Sequence, residues 1–460
     1  MSTELGSDLR HTVRTLAKSP GFTFVAVLSL ALGIGANTAM LGVVSTLLMT
    51  PLPVEEPEEL AIVAWRHEAN PQINQSGTTS YEDPSTGVQY RSSFSYPLYE
   101  AMRADLPAGV DLFGFTFMRA ASVSIGDQPA FLAGGALVDG RYFAALRPAM
   151  ALGRPITEQD DTPGAPTVAV LSHAFWMRTF GGDPAVLGRV VRVNGAPAEI
   201  VGVTGEGFHG LSMGGFFPRT EITVPLTHQQ RVYPRIRDGE SLLATDDVFW
   251  VRVMARVPDG VSTATAEQAL EVALLSHPSP LLEVEGLPEL RLLAGAQGAQ
   301  PVSADRARLL WFLMGVVGIV LLIASVNLAS LMLARGVSRQ REMAVRRALG
   351  AGRARLVRSV LLESFVLAAA GTLTGLAVVI ALDDVLGALL TGSLGSGAFG
   401  NLEITADLDT RVLALTALTG VAATLFFGLL PALRLSRVEP GSWLKSRTGA
   451  AANPRLTLGR

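Results

Sequence analysis

The feature that most restricts the fold of this 460-residue chain is a segment of eight arginines between two long uncharged stretches. The stretches cover residues 309–334 and 364–382. As helices with a rise of about 1.5 Å per residue, they are long enough for a hydrocarbon core of roughly 30 Å. Because Lys and Arg resist translocation, the segment is predicted to be a cytoplasmic connection between two membrane spans. Its arginines are Arg335, Arg339, Arg341, Arg346, Arg347, Arg353, Arg355 and Arg358.

Two further uncharged stretches, residues 22–49 and 412–433, predict two more spans. The first is longer than the apolar region of a signal peptide, about 7 to 15 residues, so we interpret it as a retained anchor. Residues 3–18 place apolar side chains at helical spacing and basic ones on the other faces, which predicts an amphipathic helix on the inner membrane surface. Four glutamates between positions 55 and 59 follow the first span and place the next segment outside.

The predicted fold class is a membrane protein with four transmembrane α-helices and a large α+β extracytoplasmic domain inserted between spans 1 and 2. The N- and C-termini are expected in the cytoplasm. The predicted segments are a cytoplasmic amphipathic helix (1–20), span 1 (21–49), the extracytoplasmic domain (50–305), span 2 (309–334), a cytoplasmic loop (335–358), span 3 (360–382), a short external loop (383–410), span 4 (412–433) and a cytoplasmic tail (434–460).

Within the extracytoplasmic domain, apolar runs and turn signals predict both strands and helices. The dipeptide Asn194-Gly195 favours a tight hairpin, and the polar run 70–93 predicts an exposed loop. Residues 139–245 are interpreted as a subdomain inserted into a second one made of 56–138 and 246–300. The predicted strands are 60–65, 167–171, 190–193, 199–203, 221–224 and 248–257, and the predicted helices are 96–104, 172–180 and 263–276.

The composition excludes several kinds of site. The chain has no cysteine, which excludes disulfides and cysteine-ligated zinc, and its six histidines lack metal-ligand spacing. Neither lysine, Lys18 or Lys445, follows a glycine, so the sequence contains no Walker-type P-loop for ATP. We therefore expect no metal and no cofactor bound by this chain.

One stretch has the form of a hydrolase motif. Residues 210–214 fit GxSxG, and His209 precedes them, but the motif requires a strand directly before it and a helix directly after it. We favour a flexible loop over a hydrolase that uses Ser212, and no catalytic residue is predicted. Two adjacent acid pairs are interpreted as solvated turn residues with diverging side chains, namely Asp160-Asp161 and Asp246-Asp247.

Small residues recur four positions apart in three of the predicted spans. Such a stripe lets another helix approach closely, although simple lipid contact is an alternative for the first span. The predicted helix-packing residues are Ala31, Gly35, Ala39, Gly371, Gly375, Gly420 and Gly428.

The arginine-rich segment itself has helical character. Topology alone explains much of its charge, yet Glu342 and Arg346 form an i,i+4 pair beside apolar residues such as Leu349. Gly350 and Gly352 then favour the end of a helix. A short amphipathic helix between two spans is suited to transmit force to or from a cytoplasmic partner.

Four stretches resemble, in order, the MacB/FtsX-like ABC transporter permeases, and most of all the first four-span unit of the long, often duplicated permeases of acidobacteria and other soil bacteria. Residues 339–364, RQREMAVRRALGAGRARLVRSVLLES, are similar to the family's RxxEIxxRxALGA segment. The other matching stretches are 9–40, 152–203 and 428–445. Many of those relatives carry two such units, so we expect a single-unit permease, one half of a pair or a shortened form.

The resemblance implies a non-catalytic permease subunit that couples ATP hydrolysis by a separate ATPase to movement of the extracytoplasmic domain, for export or envelope work. Expected partners are that ABC ATPase subunit, a second permease unit in a homo- or heterodimer and membrane lipid, with a periplasmic adaptor as a further candidate and no nucleic acid. The expected location is the bacterial inner membrane. The alternative is an ATPase-independent membrane-anchored sensor or scaffold with a ligand-binding ectodomain. The residues that the resemblance assigns to ATPase coupling are Arg341, Glu342, Arg346, Arg347, Ala348, Leu349, Gly350 and Ala351.

Overall fold

The computed structural model describes residues 10, 12–75, 80–82, 88–104, 106, 109–126, 128–211, 219–233, 241–299, 304–338, 353–393 and 410–436. Their contacts divide the chain into two compact units. The described residues of Met1–Val43, Leu310–Leu386 and Thr405–Arg460 form the first, which we call the helical unit. Those of Val44–Leu309 and Gly387–Ile404 form the second, which we call the sheet unit.

A mixed sheet is the centre of the sheet unit. The strands of this unit are β1 Leu60–Arg66, β2 Asn74–Gln75, β3 Ser80–Glu82, β4 Gln89–Arg91, β5 Ser93–Phe94, β6 Asp111–Ile125, β7 Phe131–Val138, β8 Met150–Gly153, β9 Val168–Leu171, β10 Val190–Val193, β11 Ala196–Thr204, β12 Ile222–Pro225, β13 Val248–Phe249, β14 Val251–Arg256 and β15 Glu289–Ala294. Over the described residues, 13 of them form the mixed sheet, whose main path has the order β10-β11-β9-β12-β7-β6-β14-β1-β4-β3, while β2 and β13 pair separately. Pairs β9–β11 and β7–β12 are parallel, whereas β6 pairs antiparallel with both β7 and β14.

Both faces of this sheet are covered by apolar side chains. Alternate residues of β6 belong to different clusters: Phe113 and Phe115 lie in one, and Leu112 in the other. Because side chains alternate between the faces of a strand, two clusters on one strand mean that each face is packed. Helices from the same unit cover the sheet, and they are α2 Tyr96–Ala104, α3 Tyr142–Leu146, α4 His173–Phe180, α5 Gln229–Val232 and α6 Thr263–Leu275.

Local sequence signals fix several of these elements. Ser172 and Ser262 cap α4 and α6, because each hydroxyl oxygen accepts a hydrogen bond from a backbone N–H of the first turn. Asn194 and Gly195 have φ angles of 49° and 88°, as a two-residue hairpin turn between β10 and β11 requires.

The helical unit consists of long apolar helices. They are α1 Pro20–Val44, which a π-helical turn at Ser45–Met49 extends, α7 Ala304–Ser338, α8 Arg353–Ser393 and α9 Thr410–Ser436. In the described part of the chain, three helical stretches are long and apolar enough to cross a membrane: Pro20–Val44, Ala307–Arg335 and Arg358–Ala381. A shorter apolar stretch, Arg411–Leu425, lies in α9. Leu30, Leu328 and Leu367 bring α1, α7 and α8 into one buried cluster, which also contains Leu16.

Two predictions about the sheet unit need correction. The run 70–93 is not simply an exposed loop, because β2, β3, β4 and β5 lie in or at the end of it and Ser93 is buried. Its backbone is drawn inward because β5 pairs with β14 and the Trp65 indole donates a hydrogen bond to the Ser93 carbonyl. The two predicted subdomains share one sheet, since β7 pairs with β12 and β10 with β6.

The long helices also extend past their predicted ends. Helix α7 continues to Ser338 and α8 begins at Arg353, so the connection between them is confined to residues 339–352. At its other end α8 continues to Ser393, well into the predicted external loop.

Candidate functional site

The eight residues predicted to couple the chain to an ATPase all lie between 339 and 352, outside the described residues. The ends of α7 and α8 on either side of this connection are described. The candidate site therefore consists of these flanks, the contacts among the long helices and the segments that link the helices to the sheet unit.

Arg335, near the end of α7, holds three segments of the helical unit together. Its Nη1 lies 2.9 Å from Oε1 of Glu363 in α8, and the two side chains are only 13% and 16% exposed. Its Nη2 donates hydrogen bonds to the carbonyl oxygen of Thr15, at 3.2 Å, and to the hydroxyl of Ser19. The guanidinium also lies 4.5 Å from the centre of the Phe22 ring.

These contacts give Arg335 a role within the chain. A buried arginine is tolerated when an opposite charge and further acceptors surround it, because an unpaired buried charge is costly. A positive charge at the carboxyl end of a helix is also favoured by the helix dipole. Arg335 therefore fastens the short helical segment at 12–17 and the start of α1 to α7 and α8, next to the arginine-rich connection.

The small residues of α1 lie against α8 within the helical unit. A Cβ at Gly375 would lie 2.8 Å from the carbonyl oxygen of Ala31 and 3.1 Å from the backbone nitrogen of Gly35. A Cβ at Gly371 would lie 2.6 Å from Cβ of Leu30. Backbone contacts this close leave no room for a side chain. Ala31 and Gly35 are buried, and Ala39 is half-buried.

Helix α9 approaches α8 through its own glycines. A Cβ at Gly420 would lie 2.8 Å from the Thr372 hydroxyl, and one at Gly428 would lie 2.8 Å from the Ser364 hydroxyl. Six of the seven residues predicted from small-residue spacing, all but Ala39, lie at these close contacts between helices.

Polar side chains inside the helical unit are hydrogen-bonded. The buried Asn37 amide donates to the carbonyl oxygens of Gly33 and, across helices, of Val317, at 2.9 and 3.2 Å. The hydroxyls of Thr38 and Thr416 lie 3.0 Å apart. Hydrogen bonds between helices compensate for the removal of these groups from water, so they bind α1 to α7 and α9.

In the sheet unit, the segment that follows α1 and the segment that precedes α7 are bonded to each other. The Leu52 N–H donates to the carbonyl oxygen of Ala296, at 2.8 Å. The Gln297 side-chain amide donates to the carbonyl oxygen of Leu48. Leu52 and Ala299 are both buried in the same apolar cluster. Within the sheet unit, the two linkers therefore form one connected structure.

A buried acidic cluster lies where the parallel strands β7 and β12 end. Asp139, which is 1% exposed, follows β7 and accepts a hydrogen bond from the Tyr99 hydroxyl. Asp161 accepts hydrogen bonds from the backbone N–H groups of Gly140, at 3.1 Å, and Thr227, at 2.8 Å. Arg103 lies 3.6 Å from the Asp139 carboxylate.

Burial makes these two carboxyl groups weaker acids than usual. It raises the pKa of Asp139 to about 7 and the pKa of Asp161 to about 6, while hydrogen bonds oppose the shifts. The Asp160 side chain is only 11% exposed and Asp161 is half-buried, so the prediction that both are solvated is wrong, although their side chains do diverge. Asp160 bonds instead to Arg154, at 2.6 Å, which lowers the pKa of Asp160 to about 2.

Ser212 lies outside the described residues, and the last described residues before it, Gly210 and Leu211, follow a turn rather than a long strand. Across the part of the chain that is described, no group of three acidic or histidine side chains could hold a metal ion.

Comparison with known families covers most of the chain. The model of the MacB-like periplasmic core domain matches residues 23–273, which is more than half of the sequence. The chain belongs to the MacB/FtsX-like permease family. The model of the FtsX-like permease C-terminal region matches residues 314–440, which include the arginine-rich connection. The protein is thus a multi-pass membrane permease with a periplasmic core domain.

Individual relatives of this permease are distant. The macrolide export ATP-binding/permease protein MacB of Bradyrhizobium diazoefficiens is 25% identical over 266 residues, which cover 57% of this chain and 36% of that protein. The ABC transporter permease YknZ of Bacillus subtilis is 25% identical over 288 residues, covering 63% of this chain and 64% of that protein. The chain therefore matches between 36% and 64% of the length of these relatives.

A solved structure shows a weak overall match to the permease. The periplasmic region of MacB from Actinobacillus actinomycetemcomitans is 14% identical, covers 59% of this chain and 96% of its own, and superimposes with a TM-score of 0.34.

Sequence reasoning missed two groups in the sheet unit, the acidic cluster and the buried Arg256. Asp139 comes directly after an apolar strand, which is a usable signal for a residue at a sheet edge. Arg256 is the last residue of β14, VRVMAR, which is buried throughout, and a charged residue at a buried position indicates specific partners. Its partners include the Leu146 carbonyl oxygen and the Glu59 carboxylate, about 110 and 200 positions earlier in the chain, so periodicity could not identify them.

Proposed function

We propose that this chain is the membrane subunit of an ABC transport system, in which a separate ATPase subunit binds the connection at 339–352 and moves the extracytoplasmic domain. In this proposal the sheet unit is the extracytoplasmic domain and the helical unit carries the motion. The 460 residues contain no Walker-type P-loop, so ATP is hydrolysed elsewhere than in this sequence.

The observation that carries the proposal is the order of the two family matches. The periplasmic core domain matches first, and the FtsX-like region matches α7, α8, α9 and the arginine-rich connection. Both curated relatives described above bear names of ABC transport proteins, and one of them is an ATP-binding protein. The coupling residues Arg341, Glu342, Arg346, Arg347, Ala348, Leu349, Gly350 and Ala351 rest on this resemblance.

We further propose that four helices cross the membrane. Helix α9 has 27 residues, which at about 1.5 Å per residue gives about 40 Å, enough for a span. The arginines of the connection place it on the cytoplasmic side of a bacterial membrane. With four spans, both termini then lie in the cytoplasm, and the sheet unit lies on the opposite side. A second permease unit and a periplasmic adaptor remain proposed partners.

In this proposal, motion passes along the helical unit through defined contacts. Arg335 ties the end of α7 to α8 and to the segment before α1. Close glycine contacts between α1 and α8 then make these helices move together, because backbones in direct contact cannot slide freely.

Co-purification tests the proposal. The tagged chain is extracted from native membranes in mild detergent, and the proteins that accompany it are identified by mass spectrometry. We expect a subunit with Walker motifs, and we expect the combined change Arg346→Glu with Arg347→Glu to remove it, because the docking charges are reversed.

A matched control reverses two exposed arginines of the sheet unit, Arg192→Glu with Arg231→Glu, which should leave the ATPase bound. The proposal fails if folded wild-type protein brings down no ATPase. The coupling assignment alone fails if the Arg346 and Arg347 reversals retain the ATPase.

A further inference from the structure

A single buried arginine joins three segments of the sheet unit. Arg256, at the end of β14, is 1% exposed. Its guanidinium donates hydrogen bonds to backbone carbonyl oxygens in the linker that follows α1: Glu55, at 2.7 Å, and Glu56, at 3.2 Å. It also donates to the carbonyl oxygens of Ala145 and Leu146, at the end of α3.

The charge of Arg256 is balanced by a glutamate of the same linker. Oε2 of Glu59 lies 2.7 Å from Nη1 of Arg256, and its other carboxylate oxygen accepts the Asp259 N–H, at 3.1 Å. The hydrogen bond from Arg256 lowers the pKa of Glu59. All three nitrogens of the guanidinium are thus used, as a buried arginine requires.

A lysine at position 256 could not make the same set of hydrogen bonds. Arginine presents five N–H donors in a rigid plane, whereas lysine presents three from one nitrogen. The acceptors around Arg256 come from two sides, the linker at 55–59 and the last turn of α3, whose carbonyls have no partner within the helix. Only a planar fork reaches both sides at once.

Apart from Arg256, the linker between Leu52 and β1 is attached mainly at its two ends. The Leu52 N–H donates to the Ala296 carbonyl oxygen, and the Glu59 carbonyl oxygen accepts a hydrogen bond from the Val257 N–H, at 2.8 Å. Between these ends, Glu56 adopts a left-handed backbone conformation with φ of 47°, and its side chain meets Arg147 on the exposed surface, at 3.4 Å. Exposed ion pairs contribute little, so Arg256 is the main buried side chain that attaches residues 55–59 among the described contacts.

We propose that Arg256 is a positioning residue that fastens the linker after the first span to the core of the extracytoplasmic domain, so that linker and core move as one body. The inference rests on the proposed function, because it assigns the route by which motion of α1 reaches the sheet. It makes Arg256 necessary for transmission and unnecessary for binding of the ATPase.

Limited proteolysis of the full chain with a protease that cuts after glutamate tests the attachment. We expect cleavage within 55–59 to be slow in wild-type protein and at least tenfold faster in Arg256→Met, with Arg256→Lys also faster than wild type. The exposed loop at Glu283 and Glu285 provides an internal reference rate. Glu59→Gln, which removes the charged acceptor, provides a milder variant if Arg256→Met does not fold. Because it also removes one cleavage site, its rates are compared only for cleavage after Glu55 and Glu58.

Leu270→Ala is the matched control for lost stability, because Leu270 is buried in α6 and belongs to the core without touching the linker. It should leave the ratio of linker cleavage to reference cleavage unchanged. Equal ratios in wild type, Arg256→Met and Glu59→Gln would overturn the attachment.

A distance measurement tests the joint motion. The chain contains no cysteine, so spin labels can be placed at Glu58→Cys and at Val272→Cys without other substitutions. In the complex with the ATPase, we expect the distance between the labels to stay unchanged on addition of ATP in wild type. In Arg256→Met we expect it to broaden and to shift with ATP.

The outcomes separate the two proposals. A linker–core distance that shifts with ATP in the otherwise wild-type chain would overturn the inference, while the ATPase-driven motion itself would stand. An unchanged distance in both chains, despite bound ATPase, would also overturn the role of Arg256. Failure to recover any ATPase would overturn the proposed function, and the inference with it.

Discussion

Asp139 shows what a single residue contributes in the sheet unit. Its carboxyl group is buried at the end of β7, between the Tyr99 hydroxyl and Arg103. Burial raises its pKa to about 7, from a model-compound value of 3.8. Between these two values the folded protein retains a proton that the unfolded chain releases, so this group's contribution to stability is largest at low pH and falls as pH rises to about 7.

The expected result is a pH-dependent effect of Asp139→Asn. Relative to wild type, the variant should gain stability as pH rises from about 5 to about 8, because asparagine cannot ionise. Thermal unfolding followed by tryptophan fluorescence at several pH values measures the difference, and Asp246→Asn at an exposed position is the control. A difference in melting temperature that stays constant across this range would contradict the assignment.

The Arg335–Glu363 pair allows a second test at this scale. Breaking a mostly buried pair leaves a charge without its partner, so Arg335→Met and Glu363→Gln should each destabilise the protein by about 2–4 kcal/mol. The double variant should lose less than the sum, because the two changes remove one shared interaction. Unfolding in detergent measures the coupling, and strictly additive losses would show that the pair does not interact.

Elements made of strongly patterned sequence were predicted well. The uncharged stretches predicted the long helices, apolar runs and turn signals predicted α4 and α6, and the Asn194-Gly195 turn predicted the β10–β11 hairpin. Strands β6, β7 and β15 were not predicted. Pairing over long sequence separations, such as β10 with β6, depends on tertiary contacts that a local pattern does not contain.

The candidate site was predicted less completely than the fold. The small-residue spacing pointed to positions such as Gly375 because backbone contact needs the absence of a side chain. Arg256 could not be found in this way, because its acceptors are main-chain carbonyls, which any residue carries. The coupling residues, which rest on resemblance, lie outside the described chain.

The contact between α1 and α8 predicts the effect of one added methyl group. Gly375→Ala would place a Cβ 2.8 Å from the Ala31 carbonyl oxygen, so the helices must separate at a cost of about 1–3 kcal/mol. Gly318→Ala on α7, where nothing lies within 4 Å, should be neutral or stabilising by up to about 1 kcal/mol. Unfolding temperatures in the same detergent compare the two, and equal effects would contradict the close contact.

At the scale of the whole molecule, two compact units suggest a division of tasks. The helical unit carries the predicted spans and the flanks of the arginine-rich connection, and the sheet unit carries the periplasmic core domain. The linkers at 48–59 and 295–299, hydrogen-bonded to each other, are the described route between spans and sheet. In the proposed mechanism, ATP hydrolysis by a partner moves the sheet unit through these linkers.

The most direct test measures that movement. The permease with Val272→Cys as its single cysteine is spin-labelled, reconstituted with its ATPase in lipid nanodiscs, and the distance between labels on two copies is measured without nucleotide and with trapped ATP. We expect this distance to shift with ATP in the wild-type sequence and to stay unchanged in the Arg346→Glu, Arg347→Glu variant. An unchanged distance in a complex that binds and hydrolyses ATP would show that ATP does not move the sheet unit.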